Sequence, residues 1–104
     1  MNKYHAKRTT VDGITFDSKR EAKRYVELQI LERAGRITNL QRPKPYQLVV
    51  NGVKVGRYTP DFTYVENGVE VVEDVKSPAT KKARDYRLRK MLMLAIYGIS
   101  IKET

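Results

Sequence analysis

Residues 59–76 read TPDFTYVENGVEVVEDVK, two alternating apolar and polar arms around Asn67-Gly68. Asn-Gly accepts the positive φ angles of a two-residue hairpin turn, so the arms are expected to pair antiparallel. The turn sets residue 66 against 69, and stepping outward brings Asp61 opposite Asp74. Strand side chains alternate between faces. Asp61 and Thr63 therefore share one face, with Phe62 and Tyr64 on the other. Asp74 and Lys76 likewise point one way, while Glu73 and Val75 point the other. Two carboxylates facing each other on a sheet repel, by up to roughly 1 kcal/mol at an exposed pair. A cation between them reverses the sign.

Working outward, Tyr46–Val50, Asn51-Gly52 and Val53–Val55 form a second hairpin signal, and Arg57 to Val65 is expected to run on as a strand. Val69 to Val75 returns antiparallel until Ser77-Pro78 stops it. Ile37 to Lys44 reads as a connector punctuated by Pro43 and Pro45. Upstream, Ser18-Lys19-Arg20-Glu21 is a capping box that opens a helix over residues 18–34, closed by a left-handed Gly35. Its apolar positions, Ala22, Tyr25, Val26, Leu28, Ile30, Leu31 and Ala34, make a stripe wide enough to predict cover on much of its circumference. Val11 to Phe16 carries a further Asp-Gly turn with β character. Downstream, Lys81 to Tyr97 has helical spacing, Gly98 caps it, and Ile99 to Ile101 alternates as a short last strand. The order of helix, antiparallel strands, helix and strand predicts an α/β (α+β) domain around a small mixed sheet.

The 104 residues suffice for one domain with one modest core, residues 1–10 being a basic and flexible start. No cysteine is present, which excludes disulfides and cysteine-based zinc sites. No run has the length of a membrane span, and MNKYHAKRTT lacks the apolar segment of a signal peptide, so an intracellular protein with no membrane partner is expected. Twenty-one Lys and Arg against twelve Asp and Glu leave a net charge of +9. That field favours a polyanion, nucleic acid first and acidic lipid second. The basic clusters run from Lys3 to Arg8 and from Lys81 to Lys90.

Asp61 and Asp74 are hard oxygen ligands of the kind that suit Mg2+ or Mn2+, and the Val75 backbone carbonyl lies between Asp74 and Lys76 as a further oxygen. An ammonium at Lys76 would sit beside an attacking water and the developing negative charge. A carboxylate-held metal next to a lysine in a basic protein points to phosphodiester hydrolysis.

Pro60-Asp61, a hairpin, then Asp74-Val75-Lys76 resembles the PD-(D/E)-x-K nuclease superfamily, whose restriction-endonuclease-like core runs helix, three strands, helix, strand. FDSKREAKRY, TPDF, VVEDVKS and the basic helix ending AIYG are similar to a small phage-encoded family within it. The resemblance covers about Phe16 to Ile101. It implies a Mg2+-dependent endonuclease, with Mn2+ as substitute, acting on DNA, branched DNA included, in phage recombination, replication or packaging. The location implied is the cytoplasm of an infected or lysogenic bacterium. Asp61 and Asp74 would be metal ligands, Lys76 the catalytic lysine and Glu21 an auxiliary catalytic acid and ligand. A homodimer would cut two strands.

Each residue also has a plainer reading. Asp61 after Pro60 suits a turn, and Asp74 with Lys76 suits a weak solvated ion pair. Glu73 competes with Asp74, and alternation makes Glu73 the outward-facing charge. The capping box alone explains Glu21, although Tyr25 and Leu28 on the same helix face point it inward. Lys81, Lys82, Arg84 and Arg87, with Arg89 and Lys90, would track phosphates if their helix borders the site, as would Lys7 and Arg8. His5, the lone histidine, is read as inert. Against the nuclease stand a non-catalytic nucleic-acid-binding module on the same fold and an accessory subunit of a larger phage complex.

Overall fold

The computed structural model describes residues 8–104, so Lys7, His5 and most of the first basic cluster lie outside it. Its centre is a four-stranded mixed sheet in the order β3 (Thr38–Gln41), β6 (Phe62–Glu66), β7 (Val69–Asp74), β8 (Lys102–Glu103). β6 and β7 pair antiparallel from Glu66↔Val69 outward to Phe62↔Glu73, the register the Asn-Gly turn dictates. Asn67 and Gly68 take φ of 52° and 76° there. β8 runs parallel to β7, with Glu73↔Lys102 and Asp74↔Glu103.

A helix covers each face of this sheet. α1 (Lys19–Arg33) packs one side through Phe16, Ala22, Leu28, Ile37, Phe62 and Tyr64. Ser18 Oγ accepts the Glu21 N–H at 3.1 Å, and Gly35 at φ 77° follows the last turn. α3 (Arg84–Tyr97) lies on the other side, over Val72, Ile101, Leu48 and Tyr58, through Tyr86 and Met93. Gly98, left-handed at φ 68°, caps it as expected. Two hairpins flank this arrangement: β1 (Thr9–Val11) with β2 (Ile14–Phe16) against α1, and β4 (Tyr46–Val50) with β5 (Val53–Tyr58) against α3. Among the described residues no helix is long and apolar enough to cross a membrane.

Several local expectations change. The strand expected from Arg57 to Val65 is broken at Thr59-Pro60-Asp61, and the chain there passes from one sheet to another. Pro60 has no N–H for a ladder, and it is buried at the crossing. The connector 37–44 contains β3, which pairs with β6 through a bulge between Thr38 and Gln41. Asn39, at φ 56°, absorbs the extra residue. The second helix is split: α2 (Pro78–Lys81) ends before Lys82, and α3 restarts at Arg84. The last strand falls at Lys102–Glu103, with Ile101 in the core instead of on an alternating strand. Thr9 and Thr10, within the stretch expected to be flexible, pair in β1. α1 is not wrapped, for Val26 and Ile30 lie exposed.

A two-sided sheet also overturns the reading of Glu73. It is fully buried, because the face opposite Asp74 is covered by α1 and not by water. Arg24 donates to its two oxygens at 2.7 and 2.9 Å, Tyr64 Oη donates at 2.7 Å, and Thr104 Oγ1 donates at 3.1 Å. Burial raises the Glu73 pKa, but the Arg24 fork and Tyr64 outweigh it and leave the carboxyl below its ordinary value.

Candidate active site

The break that removes Asp61 from the sheet also turns it toward Asp74. The Asp61 N–H donates to Asp74 Oδ1 at 3.1 Å, and the Val75 N–H donates to Asp61 Oδ2 at 2.9 Å. Each acid is thus held by backbone from the other's segment, and the pairing read from the hairpin continues one step past its last ladder rung. β8 fixes the strand end from the other edge: Thr104 N–H donates to the Asp74 carbonyl and Lys76 N–H to the Thr104 carbonyl, both at 3.0 Å. In extended backbone a residue's N–H and carbonyl leave the same edge, so the Val75 carbonyl is directed toward Asp61.

Side chains complete the arrangement on the α3 face. Tyr58 Oη donates to Asp74 Oδ2. Lys76 Nζ lies 3.7 Å from the same oxygen and 4.5 Å from the centroid of the Tyr86 ring, so an ion pair and a cation–π contact hold the ammonium beside Asp74. Tyr86 is anchored in turn by donating to Glu103 at 2.6 Å. Asp74 and Lys76 line a 450 Å³ cleft together with Arg57, Thr59, Asp85 and Arg89. The N-terminus of α3 borders it at Ala83, which offers no capping side chain.

The electrostatics mark this as a strained place for negative charge. Burial and then the neighbouring Asp74 push the Asp61 carboxyl well above the usual carboxylate range. Glu21, half-buried on α1, is also raised, first by burial, then by Asp17 and, more weakly, Asp74, while Arg42 and Lys76 oppose the rise. Glu21 is within reach of the pair's field but makes no contact with it that would complete a cage. Among the described residues, no three His, Cys, Asp or Glu converge as a metal-holding group. The fit to a hard divalent cation therefore rests on two carboxylates, the number Mg2+ commonly takes from protein while it keeps water and phosphate oxygens. Their hydrogen-bonded oxygens retain a second lone pair, and their mutual repulsion is what a cation would relieve.

The expected phosphate-tracking residues separate. Lys81 and Arg87 line a different depression, with Lys90, Met91 and Leu94. Lys82, Arg84 and Arg8 are exposed. The cleft itself receives Arg89 and Arg57, whose strands of sequence are joined by an Arg89 Nε bond to the Arg57 carbonyl at 3.1 Å. Sequence reasoning did not single out Arg57, Tyr58 or Arg42. Tyr58 carries a faint signal, as a polar-tipped aromatic just before the Pro60 break.

The chain belongs to the DUF1064 family. Its model, described as a protein of unknown function, matches residues 1–101. No curated protein and no solved structure matches the chain.

Proposed function

We propose that this protein is a Mg2+-dependent endodeoxyribonuclease, with Mn2+ as substitute, built on a restriction-endonuclease-like core. The observation that carries the proposal is the reciprocal pinning of Asp61 and Asp74 at a strand end, with Lys76 against Asp74. The sheet order, with β8 parallel to β7 and a helix on each face, supports that core. The net charge of +9 supports a polyanionic substrate.

Asp61 and Asp74 would hold the cation, with the Val75 carbonyl as a further oxygen and Glu21 as an auxiliary acid behind them. Mg2+ bound there supplies Lewis acidity toward a phosphate and a nucleophile at neutral pH. Tyr58 orients the Asp74 carboxylate, and the backbone N–H of Val75 orients that of Asp61. Lys76, held over the Tyr86 ring, places a fixed positive charge where negative charge develops. Arg57 and Arg89 at the rim engage flanking phosphates, with Lys81, Lys82, Arg84, Arg87, Lys7 and Arg8 adding non-specific attraction. One such site cuts one strand, so cleavage of both strands, or of a branched phage DNA intermediate, calls for a homodimer.

The test is incubation of purified protein with supercoiled, linear and four-way-junction DNA in magnesium, manganese or chelator, beside Asp74→Asn. Metal-dependent nicking by the wild type, lost in the variant while DNA binding persists, is expected. Binding without cutting on every substrate and with either metal would leave a nucleic-acid-binding module in its place.

A further inference from the structure

Arg42 follows β3 directly, and the Gln41↔Thr63 pairing sets it abreast of Phe62, one residue from Asp61. Its guanidinium lies 4.8 Å from the centroid of the Phe16 ring, a fully buried member of the α1-side core. Stacking on a fixed ring removes most of the freedom of a long side chain. Yet Arg42 Nε is buried with no hydrogen-bond partner, the one such side-chain atom among the described residues. Buried polar atoms are otherwise paired in folded proteins, and an orphan points to a missing water, ion or ligand. Glu21 feels the Arg42 charge, with no hydrogen bond between the two side chains.

We infer that Arg42 is a substrate-binding residue whose guanidinium, given no protein acceptor at Nε, receives a DNA phosphate beside Asp61, on the α1 face of the sheet. The inference rests on the nuclease reading for its substrate. A guanidinium presents a planar fork that matches two phosphate oxygens, and Arg42 as a residue is only half-buried although its Nε is covered. Lys76 and Arg42 then flank the two acids from opposite faces of the same sheet, one over Tyr86 and the other over Phe16. A phosphodiester drawn to a cation held by the acids would meet a basic side chain on either side.

Binding of a short duplex DNA is measured in chelator, where no cleavage occurs, across about 50 to 200 mM salt. Asp74→Asn is compared with Asp74→Asn carrying Arg42→Met or Arg42→Lys. Arg42→Met keeps the length and apolar stem over Phe16, and a thermal melt checks that it folds. Loss of one phosphate contact should weaken affinity at low salt and lower the log–log salt slope by about 0.9. Arg42→Lys should keep the slope and regain only part of the affinity, because charge returns without the fork. An unchanged slope and affinity in a folded Arg42→Met overturns the inference, as does an uncharged Arg42→Gln that binds with the slope and affinity of the Arg42 protein. The two readings fail separately: a wild type that cuts with an unchanged Arg42→Met slope refutes only the phosphate contact. A wild type that never cuts, with a reduced slope, refutes only the nuclease.

Discussion

Glu73 and Asp74 are adjacent carboxylates on one strand, both withdrawn from solvent, and the sheet sends them to opposite faces. On the α1 face, Glu73 meets a bidentate arginine, a tyrosine hydroxyl and a threonine hydroxyl, and its charge is fully answered. On the α3 face, Asp74 meets a second carboxylate, one tyrosine and a lysine at 3.7 Å, and the opposing Asp61 is left with a raised pKa. One face has charge balance suited to holding a fold together. The other sets two carboxylates against each other beside an open cleft, with a lysine against one of them, the kind of imbalance that functional sites keep.

Activity is the sharpest way to test that contrast. Asp74→Asn or Lys76→Ala should lower metal-dependent cleavage by about 100- to 1,000-fold or more, measured as nicking rate, with little loss of stability. Glu73 variants should do the reverse in kind. Glu73→Ala leaves Arg24 facing a buried void, and Arg24→Ala leaves Glu73 charged and unpaired, so each should cost about 3–5 kcal/mol in urea unfolding. Near-equal stability loss from Asp74→Asn and Glu73→Ala would dissolve the comparison.

The pH dependence separates the two acids further. The Glu73 pKa is lowered in the fold, so its stabilisation is complete above the ordinary value of 4.5 and is lost as pH falls through the lower folded value. Melts from neutral to acid pH should show that loss, and Arg24→Met should flatten it. Asp61 has the opposite sign: its folded pKa is raised, so ionisation above the ordinary value of 3.8 costs stability. Asp61→Asn should therefore raise the melting temperature at neutral pH by about 4–8 °C, the shift expected for roughly 1 kcal/mol in a domain of this size. The smallest effect is a magnesium-dependent rise in wild-type melting temperature that Asp61→Asn and Asp74→Asn abolish.

Much of this was readable in the chain because it depends on local rules. Asn67-Gly68 fixes the β6–β7 register, Ser18 fixes the start of α1, and strand alternation puts Asp74 and Lys76 together. What escaped depends on which surfaces meet. β3 was hidden because its residues pair across a bulge with a strand more than twenty positions away. Alternation separated Glu73 from Asp74 correctly, but it could not say that both faces were covered. Arg24 lies 49 residues from Glu73, and nothing local in either segment announces the other.

The sequence by itself determined the hairpins, the helix caps, the basic charge and the pairing of Asp61 with Asp74, since each follows from backbone geometry and nearest neighbours. Only the tertiary structure decided what each carboxylate faces. It buried Glu73 against Arg24, set Tyr58 on Asp74, brought Arg57 and Arg89 to the cleft and left Arg42 Nε without a partner. Those outcomes depend on how α1, α3 and the β4–β5 hairpin dock on the sheet, and docking is set by long-range packing that no short stretch of residues encodes.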